Sequence, residues 1–328
     1  MSNFDKPFNL GATLDDVIYA YRLFLRRHPD NEGFQHYRES VKAGLPLENL
    51  VRGFLHSTEY RNLTETEERV TTVEIDGRLI CARWGDENVG SQILKERQYE
   101  PHVTKILSGL LKGGHTFVDI GANIGFFTIL AASIVGDKGR VIAVEPNPDN
   151  IQLLLASIVR NGCKNVRVLP FAASDRESVF ELVVGGSNGN IVDPGNPNQH
   201  SVYTQSIVLD EYLSKYESID AVKIDVEGHE PKVLRGFKTL LRKCLPAMVT
   251  EFHPKALREL GQNDPEEYLT ELFGLYNSVC IILREGGLKK CRNPKDVMQY
   301  WAEINNIHRM NGAMHLDLIA RSAQSAPA

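Results

Sequence analysis

The sequence contains no apolar run long enough to cross a bilayer. Its longest, around Phe126–Val135, falls well short of the roughly 20 residues that a spanning helix needs. The first residues, MSNFDKPFNL, lack the basic start and apolar centre of a secretory leader. The five cysteines, Cys81, Cys163, Cys244, Cys280 and Cys291, form no CxxC pair. An odd number of scattered thiols fits packed core residues in a reducing cytoplasm better than a disulfide framework. Basic charge is not in excess: 37 Lys and Arg face 42 Asp and Glu, a net charge of −5. That leaves no electrostatic footprint for nucleic acid. There is no internal repeat. What remains is a chain of 328 residues, 42% hydrophobic and 24% charged, the profile of one large globular domain or two unequal ones.

Residues 13–63 read as helices. Leu14, Val17, Ile18, Tyr21 and Leu25 recur at helical spacing up to a break at Pro29. Phe34, Tyr37 and Val41 make a second stripe closed by Gly44, and Leu47, Leu50, Val51, Phe54 and Leu55 a third. With few polar groups suited to chemistry, residues 1–63 are expected to be a small helical accessory domain for packing or docking. Residues 64–115 follow as a charged connector, a hairpin turning at Asp76-Gly77, and a helix from SQILKERQYEPHVTKILSGLLKGG.

From residue 116 strands and helices alternate. TFVDI, RVIAVE, VRVLPFAA, IDAVKID and PAMVTEF are apolar strands separated by helices. Asn147 caps one of these helices, Pro148 takes its first turn and Gly162 ends it. Near-continuous apolar strands between helices mean an α/β fold with a mostly parallel sheet covered on both faces. YNSVCIILR and MHLDLIAR read as late strands paired antiparallel at the sheet edge. Residues 185–200, GGSNGNIVDPGNPNQH, read as a loop and, from their place between strands, as a lid.

VDIGANIG is a strand running into a glycine-bearing turn and then a helix, where backbone can approach a ligand closely. Glu145 ends the next strand roughly 20 residues on, a place suited to holding ribose hydroxyls. The dinucleotide fingerprint is GxGxxG. Here Asp119 precedes Gly121, and Asn123 and Gly125 follow. An acid at that position would repel a pyrophosphate but could hold the amino group of an amino-acid-bearing cofactor, which points to S-adenosylmethionine. Asp175, in FAASDRE, is either an acceptor for the adenine amino group or a plain turn residue.

AVKIDVEGHEP ends a strand in a burst of ionisable groups. Pro231 takes a first-turn position, so Glu230 reads as a cap or helix-dipole partner. Lys223 reads as an inward or snorkelling strand residue with no assigned role. Asp225, Glu227 and His229 remain, and TEFHP ends the neighbouring strand with Glu251 and His253. A carboxylate against a sulfonium stabilises reactant at least as much as transition state, so these groups serve better on the acceptor side. A hydroxyl acceptor needs its proton removed, and an imidazole titrating near pH ~6.5 suits that task. His229 or His253 is therefore the candidate base, with Glu227 orienting it or binding acceptor hydroxyls. A divalent cation held by Asp225, Glu227 and Glu251 is the alternative; no metal ligand set is assigned.

These landmarks resemble the FkbM-type methyltransferases. YEPHVTKIL, FVDIGANIGFFTILAA, VIAVEPNPDNIQLLLASI, AASD, LDEYL and VKIDVEGHEPKVLRGF occur in that order over residues of about 70–320. The resemblance implies a Rossmann-like class I methyltransferase sheet of seven strands, the last antiparallel, in residues 116–328. It implies S-adenosylmethionine contacts at Asp119, Gly121, Asn123, Gly125, Glu145 and Asp175. It also implies O-methylation of a hydroxyl on a sugar, glycan or secondary metabolite. YRLFLRRHPDNEGFQHYRESVKAGLPLENLVRGFLHSTEY resembles a small bacterial helical domain of unknown function found beside glycan-related enzymes. The expected partner is then a small-molecule or glycan acceptor and not nucleic acid, in a bacterial cytoplasm. The competing readings are an NAD-type oxidoreductase, and a non-catalytic protein on the same fold that binds a nucleoside and recruits a partner.

Overall fold

The computed structural model describes residues 11–322, except 26, 62–69, 87, 186 and 193–200. Three helices open the chain: α1 (Leu14–Leu25), α2 (Asn31–Lys42) and α3 (Leu47–Leu55). Thr13 and Asp16 cap α1 reciprocally: each side chain accepts the other's backbone N–H, at 2.8 and 3.2 Å. Val17, Phe24, Leu50 and Phe54 bury the apolar stripes of α1 and α3.

β1 (Val70–Ile75) and β2 (Arg78–Arg83) form the expected hairpin, with Asp76 and Gly77 both at positive φ. The single helix expected next is two: α4 (Gly90–Glu96) and α5 (Pro101–Leu110). Pro101 disfavours helical backbone at the residue before it. Glu100 turns left-handed at φ 38°, and Arg97, which closes α4, is left-handed at 51°.

The main sheet is built from β3 (Thr116–Ile120), α6 (Phe126–Val135), β4 (Arg140–Val144), α7 (Pro148–Asn161) and β5 (Val166–Leu169). A second, four-stranded sheet interrupts it with β6 (Ala172–Ala173), β7 (Ser178–Gly185), β8 (Asn188–Val192) and β9 (Ser201–Ile207). The segment expected as a loop or lid from residue 185 therefore begins as a hairpin; its residues 193–200 lie outside the described ones. After α8 (Leu209–Tyr212) come β10 (Ala221–Ile224), α9 (Glu230–Gly236), α10 (Lys238–Cys244) and β11 (Ala247–Phe252). The chain closes with α11 (Pro254–Glu259), α12 (Pro265–Leu275), β12 (Ser278–Ile282), β13 (Leu288–Cys291), α13 (Pro294–His308) and β14 (Leu316–Arg321).

The strand order is β13-β12-β14-β11-β10-β3-β4-β5. The run from β11 to β5 is parallel, and β14 lies antiparallel to both β11 and β12. This is the expected Rossmann-like sheet extended by one edge strand, β13. Lys289 and Lys290 are exposed on β13, which discourages further pairing at that edge. Alternate residues feed two core layers: Val118 and Ile120 pack on one face, Phe117 and Val249 on the other. Leu155 and Val159 of α7 pack against the core of the N-terminal helices. The other side of α7 holds the hairpin: Asn161 Oδ1 accepts from Leu79 N at 2.9 Å, and Ser157 Oγ accepts from Cys81 N at 2.9 Å.

Candidate active site

The carboxyl ends of β3, β4, β10 and β11 open into a cavity of about 290 Å³. In open α/β sheets this crevice is where ligands bind. One wall is the turn between β3 and α6. Gly121 sits at φ +79°, and a Cβ there would fall on the carbonyl oxygen of Asp225. Its N–H and that of Ala122 both donate to Val144 O, so the turn is stitched across two strand ends. Asn123 follows at φ +51°, with its N–H donating to Glu145 Oε2 at 2.7 Å. Glu145 Oε1 accepts from Asn147 N at 2.9 Å and from Asn150 Nδ2 at 3.3 Å. Despite these donors, burial pushes the Glu145 carboxyl up to about 7.

The β7–β8 turn covers this wall. Ser187 O accepts from Asn123 Nδ2 at 3.1 Å and from Asn150 Nδ2 at 2.7 Å. Asp86 Oδ1 accepts from Ser187 Oγ at 2.9 Å, and Asp86 Oδ2 from Gly90 N at 2.7 Å. Ser187, Asn188 and Gly189 thus line the cavity from a tethered turn.

The opposite wall is ionisable. Asp225 and Glu227 line it from the loop after β10, and Glu251 and His253 from the end of β11. Lys223, 4% exposed, places Nζ 2.6 Å from Asp225 Oδ2 and 4.8 Å from the Phe127 ring centroid. Glu227 is held at φ +52° beside Gly228 at +95°. Glu230 clamps that loop: its Oε1 accepts from Val226 N at 3.0 Å and Gly228 N at 3.2 Å. His253 caps α11, with Nδ1 accepting from Ala256 N at 3.4 Å. Burial lowers the His253 pKa, so the ring is neutral near pH 7.

Four residues expected at the site lie behind it or away from it. Asp119 is fully buried, accepts from Thr128 Oγ1 at 2.6 Å and does not line the cavity. Gly125 serves packing: a Cβ there would strike Leu154 Cδ1, so it lets α6 close on α7. Asp175 lies outside the cavity lining and pairs with Arg235 at 3.2 Å. His229, 2% exposed, is turned into the protein, with Nε2 3.1 Å from Ser174 Oγ and its ring edge-on to Phe180. Burial drives its pKa down to about 3, and it is not among the residues that line the cavity. Among the described residues, no three of His, Cys, Asp or Glu are grouped so as to hold a metal ion. The Asp225, Glu227 and Glu251 set therefore forms no metal cage.

Three contributors were missed or left without a role. Lys223 is the buried cation of the acidic wall. Glu100 lines the cavity because the backbone breaks before Pro101, and burial pushes it up to about 8. His315 lies 3.3 Å, Nδ1 to Oε1, from Glu251. His315 immediately precedes β14 and Asp317 lies within it, two residues on; Asp317 also meets His102 at 2.7 Å.

Residues 119–278 match the family model of the Methyltransferase FkbM domain. The chain carries an FkbM methyltransferase domain. Residues 11–64 match a domain of unknown function, DUF4214. The chain is 27% identical over 172 residues to the hexuronic acid methyltransferase of Haloferax volcanii, covering 49% of this chain and 65% of that one. It is 26% identical over 134 residues to the protein-L-isoaspartate O-methyltransferase of Methanococcoides burtonii, covering 39% and 65%. The chain thus spans less than two thirds of the length of these relatives. Among solved structures, methyltransferase FkbM from Methylobacillus flagellatus aligns with TM-score 0.38 and 16% identity, over 86% of this chain and 60% of that one.

Proposed function

We propose that this chain transfers the methyl group of S-adenosylmethionine to a hydroxyl oxygen of a sugar, glycan or secondary metabolite. The observation that carries the reading is the division of the cavity. A glycine turn with Asn123 and Glu145 forms one wall, and Asp225, Glu227, Glu251 and His253 form the other. The first wall fits a nucleoside. Glu145 Oε2 takes one hydrogen bond from the protein and keeps a lone pair for a ribose hydroxyl. Gly121 and Asn123 would hold the cofactor's backbone-facing side. When bound, S-adenosylmethionine supplies an electrophilic methyl on a sulfonium. The chain's own residues position the acceptor in line, exclude water and receive a proton.

The FkbM domain supports methyl transfer, and the names of the two curated relatives support an oxygen acceptor and a carbohydrate. Five free thiols support a reducing cytoplasm. Calorimetry tests the cofactor: S-adenosylmethionine should bind and NAD should not. Tighter binding of NAD, or binding of neither, overturns the reading. Tritiated methyl donor offered with a panel of free and nucleotide-linked sugars tests the acceptor. The incorporated label should survive mild alkali, as a methyl ether does. Release as methanol would mean a carboxyl acceptor and reject the hydroxyl.

A further inference from the structure

We propose that Glu227 is the group that receives the acceptor's proton, and that neither cavity imidazole does. The inference deepens the methyl-transfer reading and rests on it.

His253 Nδ1 accepts the backbone N–H of Ala256, so a neutral ring carries its proton on Nε2. A ring in that state can donate a hydrogen bond into the cavity but cannot take a proton there. His315 Nε2 lies 3.3 Å from Arg284 Nη2, and a guanidinium only donates. The proton of a neutral His315 is therefore on Nδ1, where it donates to Glu251 Oε1 at 3.3 Å. Both imidazole lone pairs are already engaged.

The carboxylates divide in the same way. Asp225 is committed to Lys223 through Oδ2. Glu251 lies in register with Asp317, and burial together with Asp225 and Glu227 holds its carboxyl well above the usual range. Its carboxyl is turned toward His315, whose ring lies 3.3 Å from Oε1. Glu227 differs. Among the described residues its carboxyl has no hydrogen-bond or ion-pair partner, and it lines the cavity. Its left-handed backbone is held open by the Glu230 clamp, and Asn263 Nδ2 donates to Gly228 O at 3.3 Å. Such strain persists only where the surroundings over-determine it.

The titratable groups around Glu227 come from every wall. Asp225 and Lys223 lie on its own strand end, and Glu230 on the helix that follows. Glu251 and His253 face it from β11, His315 from the approach to β14, and Tyr99 and Glu100 from before α5. Burial and the Asp225 charge raise Glu227 to about 7, partly offset by Lys223. A base matched to neutral pH is the most effective proton acceptor. In the step, the acceptor O–H bond breaks and its proton passes to Glu227. The oxygen forms the new carbon–oxygen bond, and the electron pair of the broken carbon–sulfur bond stays on sulfur.

Proton release on binding tests this without a known acceptor. Titrate the full chain at pH 7 with S-adenosylmethionine and with S-adenosylhomocysteine, in buffers of differing ionisation enthalpy. A cationic sulfonium near a half-protonated Glu227 should expel about half a proton more than the neutral thioether does. Glu227→Gln should abolish that difference and keep S-adenosylhomocysteine affinity within about twofold. Glu227→Asp, which retains a carboxyl, should preserve release if the Gln chain fails to fold. On whichever panel sugar takes tritium, Glu227→Gln should lower kcat at least ~100-fold and remove the rise in rate through pH 7. Equal proton release by the two nucleosides, a difference that persists in Glu227→Gln, or an unchanged kcat overturns the assignment. If neither nucleoside binds, the methyl-transfer reading itself fails.

Discussion

Replacing Glu230 by Gln should stabilise the protein above pH 7 and leave it nearly unchanged below pH 4. Glu230 is 1% exposed at the start of α9. Its Oε1 accepts two backbone N–H groups, from Val226 and Gly228, while Oε2 is buried with no partner among the described residues. Burial outweighs those donors and raises the carboxyl from 4.5 to about 7. Below pH 4.5 both folded and unfolded chains hold the proton. Between 4.5 and about 7 the unfolded chain has lost it and the folded chain has not, so stability falls as pH rises. Above 7 both are ionised and the full loss is present. At about 1.4 kcal/mol per pH unit it amounts to roughly 3 kcal/mol.

Gln keeps the accepting oxygen and places an amide where the unpartnered Oε2 lies, so it retains the clamp without the charge. Urea unfolding of both proteins from pH 4 to pH 8 gives the comparison, with unchanged m-values as the control. The curves should separate through pH 5–7, with Gln higher. Parallel curves, or a Gln protein less stable at pH 8, would refute the reasoning. The two N–H bonds would then outweigh burial, and an ionised Glu230 would be what holds the loop.

Lys223→Met removes the buried cation facing Asp225, Glu100 and Asp119, and should cost about 3–5 kcal/mol in urea unfolding. A loss under 1 kcal/mol would show that the carboxyls simply take up protons. Gly121→Ala forces a Cβ onto the Asp225 carbonyl at positive φ. It should lower stability by more than ~1 kcal/mol from conformation alone and abolish calorimetric binding of S-adenosylmethionine; intact binding would contradict the described turn. His229→Ala should cost roughly 2–4 kcal/mol through lost packing and an unsatisfied Ser174. It should also flatten the stability lost below pH 6.5, where the unfolded chain protonates and the folded ring, titrating at about 3, does not. A shifted pH–rate profile in this variant would return His229 to the chemistry.

Strand and helix identities were legible because parallel strands buried on both faces are apolar throughout, as in β3 and β11. The landmarks near 119–125 and 221–231 were found for the same reason, since ionisable or glycine residues stand out at the end of such a run. Direction was not legible. Asp119 and Asp225 both look like site acids in sequence, but they lie at different depths, and only Asp225 reaches the cavity. His229 and His253 both follow a strand. A cap bond orients His253, whereas Ser174 and Phe180, some fifty residues away, turn His229 inward. Glu100 depended on a helix break that periodicity reads through, although Pro101 marks it. In sequence Lys223 reads as an interior lysine, because its neutralising role exists only once Glu100, Asp119 and Asp225 converge from three separate segments. The same convergence changes what DVEGHE means. Glu230, which a helix-start pattern makes ordinary, fixes the left-handed loop, and that loop leaves Glu227 lining the cavity with no partner among the described residues. Chemistry at this site thus depends less on which ionisable residues are present than on which of their lone pairs the fold has already taken.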